Sequence, residues 1–299
     1  MGSTRPPPAS VVVPTYGRPG PLRRCVEALA RLDYPADRLE VLVVDDASPE
    51  PVGAGDVDFP GTLRVIRVRN NRGPAAARNR GAGEATGRIL LFTDDDCRPD
   101  PGWARAFARV LEEEPDALVG GDTLNGLDQN LFAQASQDLI SYLYVAFARS
   151  RRLQPFFTSN NVAMRRDRFL DVGGFDESFR LSAGEDRDLC ERWGADVGPL
   201  RFVGDARIRH YHDLTLGRFV RQHFRYGRGA VHLARLRSAR GQARPRPEPL
   251  SFYARMLAHP TEGRPAGRGV KLSVLVALSQ LCSVAGMAAE AVHPHNDPT

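Results

Sequence analysis

Lysine is almost absent from the sequence: Lys271 is the only one among 41 basic residues, and the others are all arginine. Because arginine binds phosphate groups in a bidentate manner, the net charge of +5 fits a phosphorylated ligand as well as a nucleic acid. Cysteine is also scarce, and Cys25, Cys97, Cys190 and Cys282 are far apart without paired spacing. This pattern favours reduced thiols and a cytoplasmic protein.

Two further absences argue against particular classes of protein. The first eight residues, Met-Gly-Ser-Thr-Arg-Pro-Pro-Pro, contain no apolar segment, so no signal peptide is expected. No Gly-x-Gly-x-x-Gly follows the first predicted strand, which disfavours a dinucleotide-binding dehydrogenase. With 42% hydrophobic and 26% charged residues, the 299-residue chain has an ordinary globular composition, enough for one large domain or two small ones.

Short apolar runs alternate with segments of helical periodicity along the chain. Strands are predicted at 10–15, 40–44, 63–68, 89–92, 117–119, 156–165, 201–202 and 206–210. Helices are predicted at 22–32, 75–84, 101–114, 128–149, 184–193 and 216–234, and a turn at 120–122. The alternation predicts an α/β fold with a mostly parallel central sheet flanked by helices.

Three acidic clusters stand at the ends of these predicted elements. Asp45 and Asp46 follow the second strand, Asp94 to Asp96 follow the fourth, and Glu185 and Asp186 begin a helix. Like charges 4 Å apart repel by about 4 kcal/mol at an effective dielectric of 20, and a divalent cation removes that cost. Mg²⁺ or Mn²⁺ is favoured, because both prefer carboxylate oxygens and substrate phosphates. The alternative for each cluster is an acidic turn or helix cap.

The segments around these clusters resemble family 2 glycosyltransferases with the GT-A fold. In family order, between about residues 8 and 230, they are Ser10-Val-Val-Val-Pro-Thr-Tyr16, Val43-Val-Asp-Asp-Ala-Ser48, Asn70-Asn-Arg-Gly-Pro-Ala-Ala-Ala-Arg-Asn79, Leu91-Phe-Thr-Asp-Asp-Asp96, Gly173-Gly-Phe-Asp176 and Gly184-Glu-Asp186. The resemblance implies an inverting hexosyltransferase that uses a divalent metal and a nucleoside-diphosphate sugar, with UDP favoured. The acceptor hydroxyl is unknown, and a single transfer is favoured over polymerisation.

The resemblance also implies roles for individual residues. The residues expected to bind the nucleotide sugar are Pro14, Tyr16, Asp46, Arg78, Asp94 and Asp95. Asp96 is expected to ligate the metal, assisted by His212. Asp186 matches the general base that takes the proton of the attacking hydroxyl, and Asn160 and Glu185 are placed on the acceptor side.

Two alternative functions fit parts of the sequence. A sugar-phosphate nucleotidyltransferase has a related fold, but it needs a Gly-rich loop with a basic residue after the first strand, and Pro14-Thr-Tyr-Gly-Arg18 is a poor match. A non-enzymatic, basic nucleic-acid-binding protein would explain the arginine content, but it would not explain acidic clusters at strand and helix ends. Nucleic acid is therefore not an expected partner.

The predicted organisation is a GT-A domain at 8–235, with a nucleotide-binding half at 8–122 and an acceptor half at 123–235. An Arg-, Pro- and Gly-rich linker at 236–269 follows, interrupted by a short helix at 251–258. The apolar C-terminal helix at 270–293 is expected to contact the same chain, a second copy in a homodimer, or a membrane surface. It is not expected to span a bilayer, because Lys271, Gln280 and Glu290 interrupt its apolar residues.

Overall fold

The structure is a computed structural model that describes residues 5–53, 55, 57–150, 155–179, 183–242 and 247–293. The described residues fall into two compact units. The first comprises those of Met1–Gly126, Arg151–Arg180 and Glu185–Tyr211, and the second comprises those of Leu127–Ser150, Leu181–Gly184 and His212–Thr299.

The first unit contains the sheet. Its strands are β1 (Ala9–Thr15), β2 (Leu39–Asp45), β3 (Thr62–Arg67), β4 (Ile89–Phe92), β5 (Cys97–Pro99), β6 (Leu118–Asn125), β7 (Val162–Arg165) and β8 (Leu200–His210). Among the described residues, these eight strands form one sheet in the order β3-β2-β1-β4-β7-β6-β8-β5. Its helices are α1 (Pro19–Leu29), α2 (Pro74–Glu84), α3 (Trp103–Glu113), α5 (Arg166–Asp171) and α6 (Glu185–Asp196).

The sheet is mixed, with its parallel half at the N-terminal end of the chain. Strands β3, β2, β1 and β4 are mutually parallel, β7 is antiparallel to both β4 and β6, and β8 is parallel to β6. Every residue of β1, β2 and β4 is buried, as expected for central strands covered on both faces. Because β1, β2 and β4 are parallel, their carboxyl ends meet at one edge of the sheet, where ligands bind in open α/β folds.

The turn predicted at 120–122 is wrong, because β6 continues through both glycines. The register against β8 shifts between Gly121 and Asp122, which marks a β-bulge. A Cβ atom at Gly121 would lie 2.1 Å from the carbonyl oxygen of Ala206 on β8. Gly121 is therefore needed because β6 and β8 approach closely at this point, and not because the chain turns there.

The second unit is helical. Its helices are α4 (Leu131–Arg149), α7 (Leu216–Ala239), α8 (Leu250–Ala258) and α9 (Ala266–Val292). Its core contains Phe219 of α7, Met256 of α8 and Leu272 and Val276 of α9. The boundaries predicted at residues 235 and 269 both fall within this unit, the first inside α7 and the second inside α9.

Candidate active site

The two acids that follow β2 have separate partners. The Asp45 carboxylate accepts hydrogen bonds from the backbone N–H groups of Ser48 (2.9 Å) and Val52 (3.2 Å) and pairs with the Arg67 guanidinium at 2.8 Å. With these partners, Asp45 shapes the loop that follows its own strand.

Asp46 holds the loop that leads into α2. Its two carboxylate oxygens accept the backbone N–H groups of Arg72 (3.1 Å) and Gly73 (2.8 Å), one bond to each oxygen. Burial raises the pKa of Asp46, against the effect of these two bonds. Since each carboxylate oxygen can accept two hydrogen bonds, Asp46 keeps capacity for a donor from a ligand. A cavity of about 570 Å³ adjoins Asp46, but Asp94 to Asp96 do not line it.

Pro14 and Tyr16, which are also predicted to bind the nucleotide sugar, lie at the carboxyl end of β1. Pro14 is buried within the strand, and the Tyr16 side chain is 49% exposed. The backbone N–H of Gly17 donates to Ser48 Oγ at 2.8 Å, so the loops after β1 and β2 are tied together. Gly17 has φ +64°, a left-handed conformation that glycine adopts at little cost.

Asp95 and Asp96 are both buried after β4 and share one arginine. Arg18, which precedes α1, places Nη1 3.1 Å from Asp95 Oδ1 and Nη2 2.6 Å from Asp96 Oδ2. Asp95 also accepts a hydrogen bond from Thr15 Oγ1 at 2.7 Å. Burial raises the pKa of Asp95 to about 7, although Arg18 opposes that rise. The sequence reasoning missed Arg18, because nothing in Tyr16-Gly-Arg18 indicates that the side chain returns to the end of β4.

Asp96 lies beside a histidine that the sequence analysis did not select. His210 Nε2 is 3.1 Å from Asp96 Oδ1, and ligand atoms of Asp96, Cys97 and His210 lie within 4.8 Å of one another. Burial disfavours the carboxylate form of Asp96, but His210 and Arg18 outweigh it and hold its pKa well below the usual range. The predicted assistant, His212, belongs to the second unit, so its role at the metal stays a prediction.

The Asp96 cluster fits a divalent cation. The Asp96–His210 separation of 3.1 Å is that of a hydrogen bond or ion pair, and it is also close to the distance of about 3.0 Å between two ligands bound at about 2.1 Å to one octahedral ion. The Cys97 thiol is fully buried, and burial raises its pKa well above the ordinary value, so it remains protonated and is a weaker ligand. Asp96 and His210 are therefore the two side chains that would hold the ion.

Arg78 connects the acidic end of β4 to the start of α6. Its side chain is 4% exposed; Nη2 lies 2.7 Å from Asp94 Oδ1 and Nη1 lies 3.3 Å from Glu185 Oε1. Arg78 Nε is buried and has no hydrogen-bond partner among the described residues. Burial raises the pKa of Glu185 to about 7, and the neighbouring Asp186 adds to the rise, whereas Arg78 opposes it.

Replacing Arg78 by lysine is expected to lower the transfer rate at least tenfold while changing donor affinity little. A single ammonium group cannot hold both carboxylates in the geometry of a guanidinium fork. The same substitution at Arg23 on α1, whose side chain is 64% exposed and pairs with Glu27, is the matched control and should retain full activity. Separate measurements of kcat and of the donor Kd test this. Loss of donor binding with kcat unchanged would assign Arg78 to the nucleotide instead.

Asp186 is the more accessible acid of the pair that begins α6. It is half-buried, and its Oδ1 accepts the backbone N–H of Arg187 at 2.8 Å, whereas Glu185 is only 3% exposed. Both acids lie in the first turn, where carboxylates are stabilised by the helix dipole. Burial is the main cause that raises the pKa of Asp186. Of the two, Asp186 is therefore better suited to meet a substrate.

The asparagines before β7 have local structural partners. Asn160 Oδ1 accepts a hydrogen bond from Thr158 Oγ1 at 2.8 Å, which stabilises the turn. Asn161 Oδ1 accepts from Trp103 Nε1 at 2.8 Å, and its Nδ2 donates to Ala206 O at 3.2 Å. Asn161 thus links α3 and β8, and the acceptor-side role of Asn160 stays a prediction.

Comparisons with solved structures identify the architecture. The chain matches a mannosyltransferase from Pyrobaculum calidifontis, solved with GDP-Man and Mn²⁺, with a TM-score of 0.60 and 19% identity, over 97% of this chain and 76% of that one. It matches GalNAc-T7, solved with UDP, GalNAc and Mn²⁺, with a TM-score of 0.57 and 16% identity, over 98% and 57% of the two chains. The predicted GT-A fold is confirmed.

The sequence comparisons give the family. The model of glycosyl transferase family 2 matches residues 10–173, so the chain belongs to this family, as predicted. It is 31% identical over 233 residues to the pre-mycofactocin glycosyltransferase of Mycobacterium tuberculosis, covering 75% of this chain and 47% of that protein. It is 27% identical over 231 residues to glycosyltransferase AglE of Haloferax volcanii, covering 76% and 74%. The chain therefore spans about half the length of the mycobacterial relative.

Proposed function

We propose that the protein transfers one hexosyl group per turnover from a nucleoside-diphosphate sugar to an acceptor hydroxyl, with inversion and with a bound divalent metal. The observation that carries this proposal is the Arg78 bridge. It joins Asp94, at the acidic end of β4, to Glu185, the neighbour of the candidate base Asp186. Groups suited to the donor and a group suited to the acceptor therefore belong to one connected set of side chains.

The donor nucleotide is proposed to lie against the ends of β1 and β2. Asp46 keeps lone pairs that can accept a ring N–H of a base, and Pro14 and the half-exposed Tyr16 offer apolar surface for it. Both uracil and guanine carry such a ring N–H. UDP is the proposed nucleotide and GDP is its direct competitor, since solved relatives contain one or the other.

The metal is proposed to be Mn²⁺, held by Asp96 and His210. A donor set with an imidazole nitrogen suits Mg²⁺ less well, because Mg²⁺ strongly prefers oxygen ligands. When bound, the ion would stabilise negative charge on the leaving diphosphate. Arg18 is placed to balance the charge of Asp95 and Asp96 when no ion is present, which would keep the acids in position.

Asp186 is proposed to take the proton of the acceptor hydroxyl as the oxygen attacks the anomeric carbon. An inverting displacement needs one such base and no covalent intermediate on the protein. Glu185 is buried against Arg78, so its half-buried neighbour Asp186 is the candidate general base. A cytoplasmic location is proposed because the four cysteines are free thiols, all of them buried.

A thermal-shift screen of UDP-, GDP- and dTDP-sugars, with Mn²⁺ or with EDTA, tests the proposal. A ligand at 100 times its Kd adds about 2.7 kcal/mol to the free energy of unfolding. The expected result is a rise in Tm for UDP-sugars that is large with Mn²⁺ and small with EDTA. Stabilisation by duplex DNA and by no nucleotide sugar would contradict the proposal, and equal shifts in EDTA would contradict its metal requirement.

A further inference from the structure

In its C-terminal half, helix α9 has small and polar residues on its buried side and several large aliphatic residues on its exposed side. The buried positions there are Ser279, Cys282, Gly286 and Glu290. The large aliphatic residues that are exposed along the helix are Val270, Val274, Leu281, Val284, Met287 and Val292. Leu281 is 68% exposed and Val292 71% exposed, although water would favour the reverse arrangement.

The buried side of α9 is fixed against α7. A Cβ atom at Gly227 of α7 would lie 1.9 Å from the carbonyl oxygen of Ser283, and one at Gly286 would lie 2.0 Å from that of Phe224. Small residues at a helix crossing, which let backbones approach closely, are the packing typical of helices in lipid. Glu290 pairs with Arg228 at 2.6 Å and with Arg235 at 2.9 Å, so its charge is neutralised inside the unit.

The exposed side of α9 forms a continuous apolar face. At 3.6 residues per turn, positions 270, 274, 281, 284 and 292 lie on one side, and at 1.5 Å per residue they extend over roughly 33 Å. Helix α8 adds a second exposed apolar face, with Leu250 at 87%, Tyr253 at 38% and Leu257 at 37% exposure. Among the described residues, α9 is the one helix whose length and composition would suffice to cross a bilayer.

The net charge of residues 212–293 indicates which kind of surface could cover the exposed apolar face of α9. Residues 212–293 contain 13 Arg and Lys against four Asp and Glu, a net charge of +9, whereas the remainder of the sequence carries −4. Exposed cations include Arg221, Arg225, Arg255 and Lys271, the last beside Val270 in the first turns of α9. A second copy would bring the same positive charge against itself, which is unfavourable, whereas an anionic surface is attracted.

We propose that α8 and α9 dock the protein on an anionic bilayer, with their aliphatic faces in the headgroup and upper acyl region. The helices lie along the surface and do not span the membrane, because α9 is held to α7 by Glu290 and by the close contacts at Gly227 and Gly286. The proposal does not depend on the sugar or the metal assigned above.

Vesicle binding of the full chain tests the docking surface. Phosphatidylcholine vesicles with about 30% phosphatidylglycerol are compared with pure phosphatidylcholine, and a Leu281→Glu/Val284→Glu variant is compared with the unaltered chain. The expected result is preferential binding to the anionic vesicles, which the double variant lowers by about a hundredfold or more, because two large aliphatic side chains no longer enter the apolar layer and two negative charges face the anionic lipid. The matched control is Val65→Glu/Phe202→Glu, two exposed apolar residues of the first unit, and it should bind within twofold.

Three results would overturn the proposal. One is a chain that does not bind anionic vesicles, or that binds them equally well with both α9 substitutions. Another is a dimer by light scattering that the α9 variant converts to monomer without any vesicle binding, which would make the face an interface between copies. The third is resistance to carbonate extraction at high pH, which would show a spanning helix. An unchanged circular dichroism spectrum and Tm in the variants show that folding is intact.

Discussion

Asp186→Asn is expected to lower kcat by at least a hundredfold while leaving the affinity for the nucleotide sugar nearly unchanged. The amide keeps the size of the carboxylate but cannot take a proton, and positioned general bases typically contribute about 10²- to 10⁴-fold. Arg187 N–H, which now donates to Asp186 Oδ1, can still donate to the amide oxygen, so the start of α6 should keep its conformation. Single-turnover kinetics at saturating donor, together with donor titration, measure the two quantities.

The pH dependence of kcat separates a base from a structural acid. Burial raises the pKa of Asp186, so the unaltered enzyme should lose activity as pH falls through a value above that of an ordinary aspartate. In Asp186→Asn the residual activity should lack this acid limb. Asp196→Asn, at the exposed end of the same helix, is the control and should keep both rate and profile. A product that retains the donor's anomeric configuration would remove the need for the base and contradict inversion.

Asp96→Asn is expected to abolish metal-dependent donor binding. Loss of an outer-shell partner costs about 10- to 100-fold in metal affinity, so loss of a ligand should exceed that range. Because His210 and Arg18 hold the pKa of Asp96 low, the substitution also removes stabilising ion pairs, so a lower Tm is expected, while Arg18 keeps its pair with Asp95. Mn²⁺ titration by calorimetry in the presence of UDP, with Asp171→Asn as an exposed-acid control, checks this.

Two histidine variants decide which imidazole serves the metal. Because His210 Nε2 lies 3.1 Å from Asp96, His210→Ala should weaken Mn²⁺ binding nearly as much as Asp96→Asn. The predicted role of His212 at the metal is tested in the same titration: a loss of Mn²⁺ affinity in His212→Ala would support that role, and unchanged affinity would leave His210 as the imidazole ligand. Full activity of Asp96→Asn in EDTA would contradict the metal proposal as a whole.

The sequence was informative where periodicity and strand ends coincide. The run Ile89 to Phe92 predicts β4 with the observed bounds, and the acids after it lie at the predicted sheet edge. It was uninformative where the determinant is a partner distant in the chain. His210 reaches Asp96 only because the three-residue strand β5 pairs with β8, and a strand that short has no periodicity to detect. The sequence also did not predict which side of α9 is exposed. Periodicity shows that a helix has two different sides, but it does not show which of them packs against the rest of the protein.

The contacts that assemble the site also bear on how the chain folds. Thr15 and Asp95 are 80 residues apart in sequence, and Arg78 and Glu185 are 107 apart. Closing loops of this length costs conformational entropy before the contacts compensate for it, and folds rich in such long-range pairings fold slowly. Until α6 docks, the guanidinium of Arg78 has only one of its two carboxylate partners. The bridge between Arg78 and Glu185 exists only when α2 and the start of α6 are both in their native positions, so the proposed base is held beside it only in molecules in which these two distant segments have met.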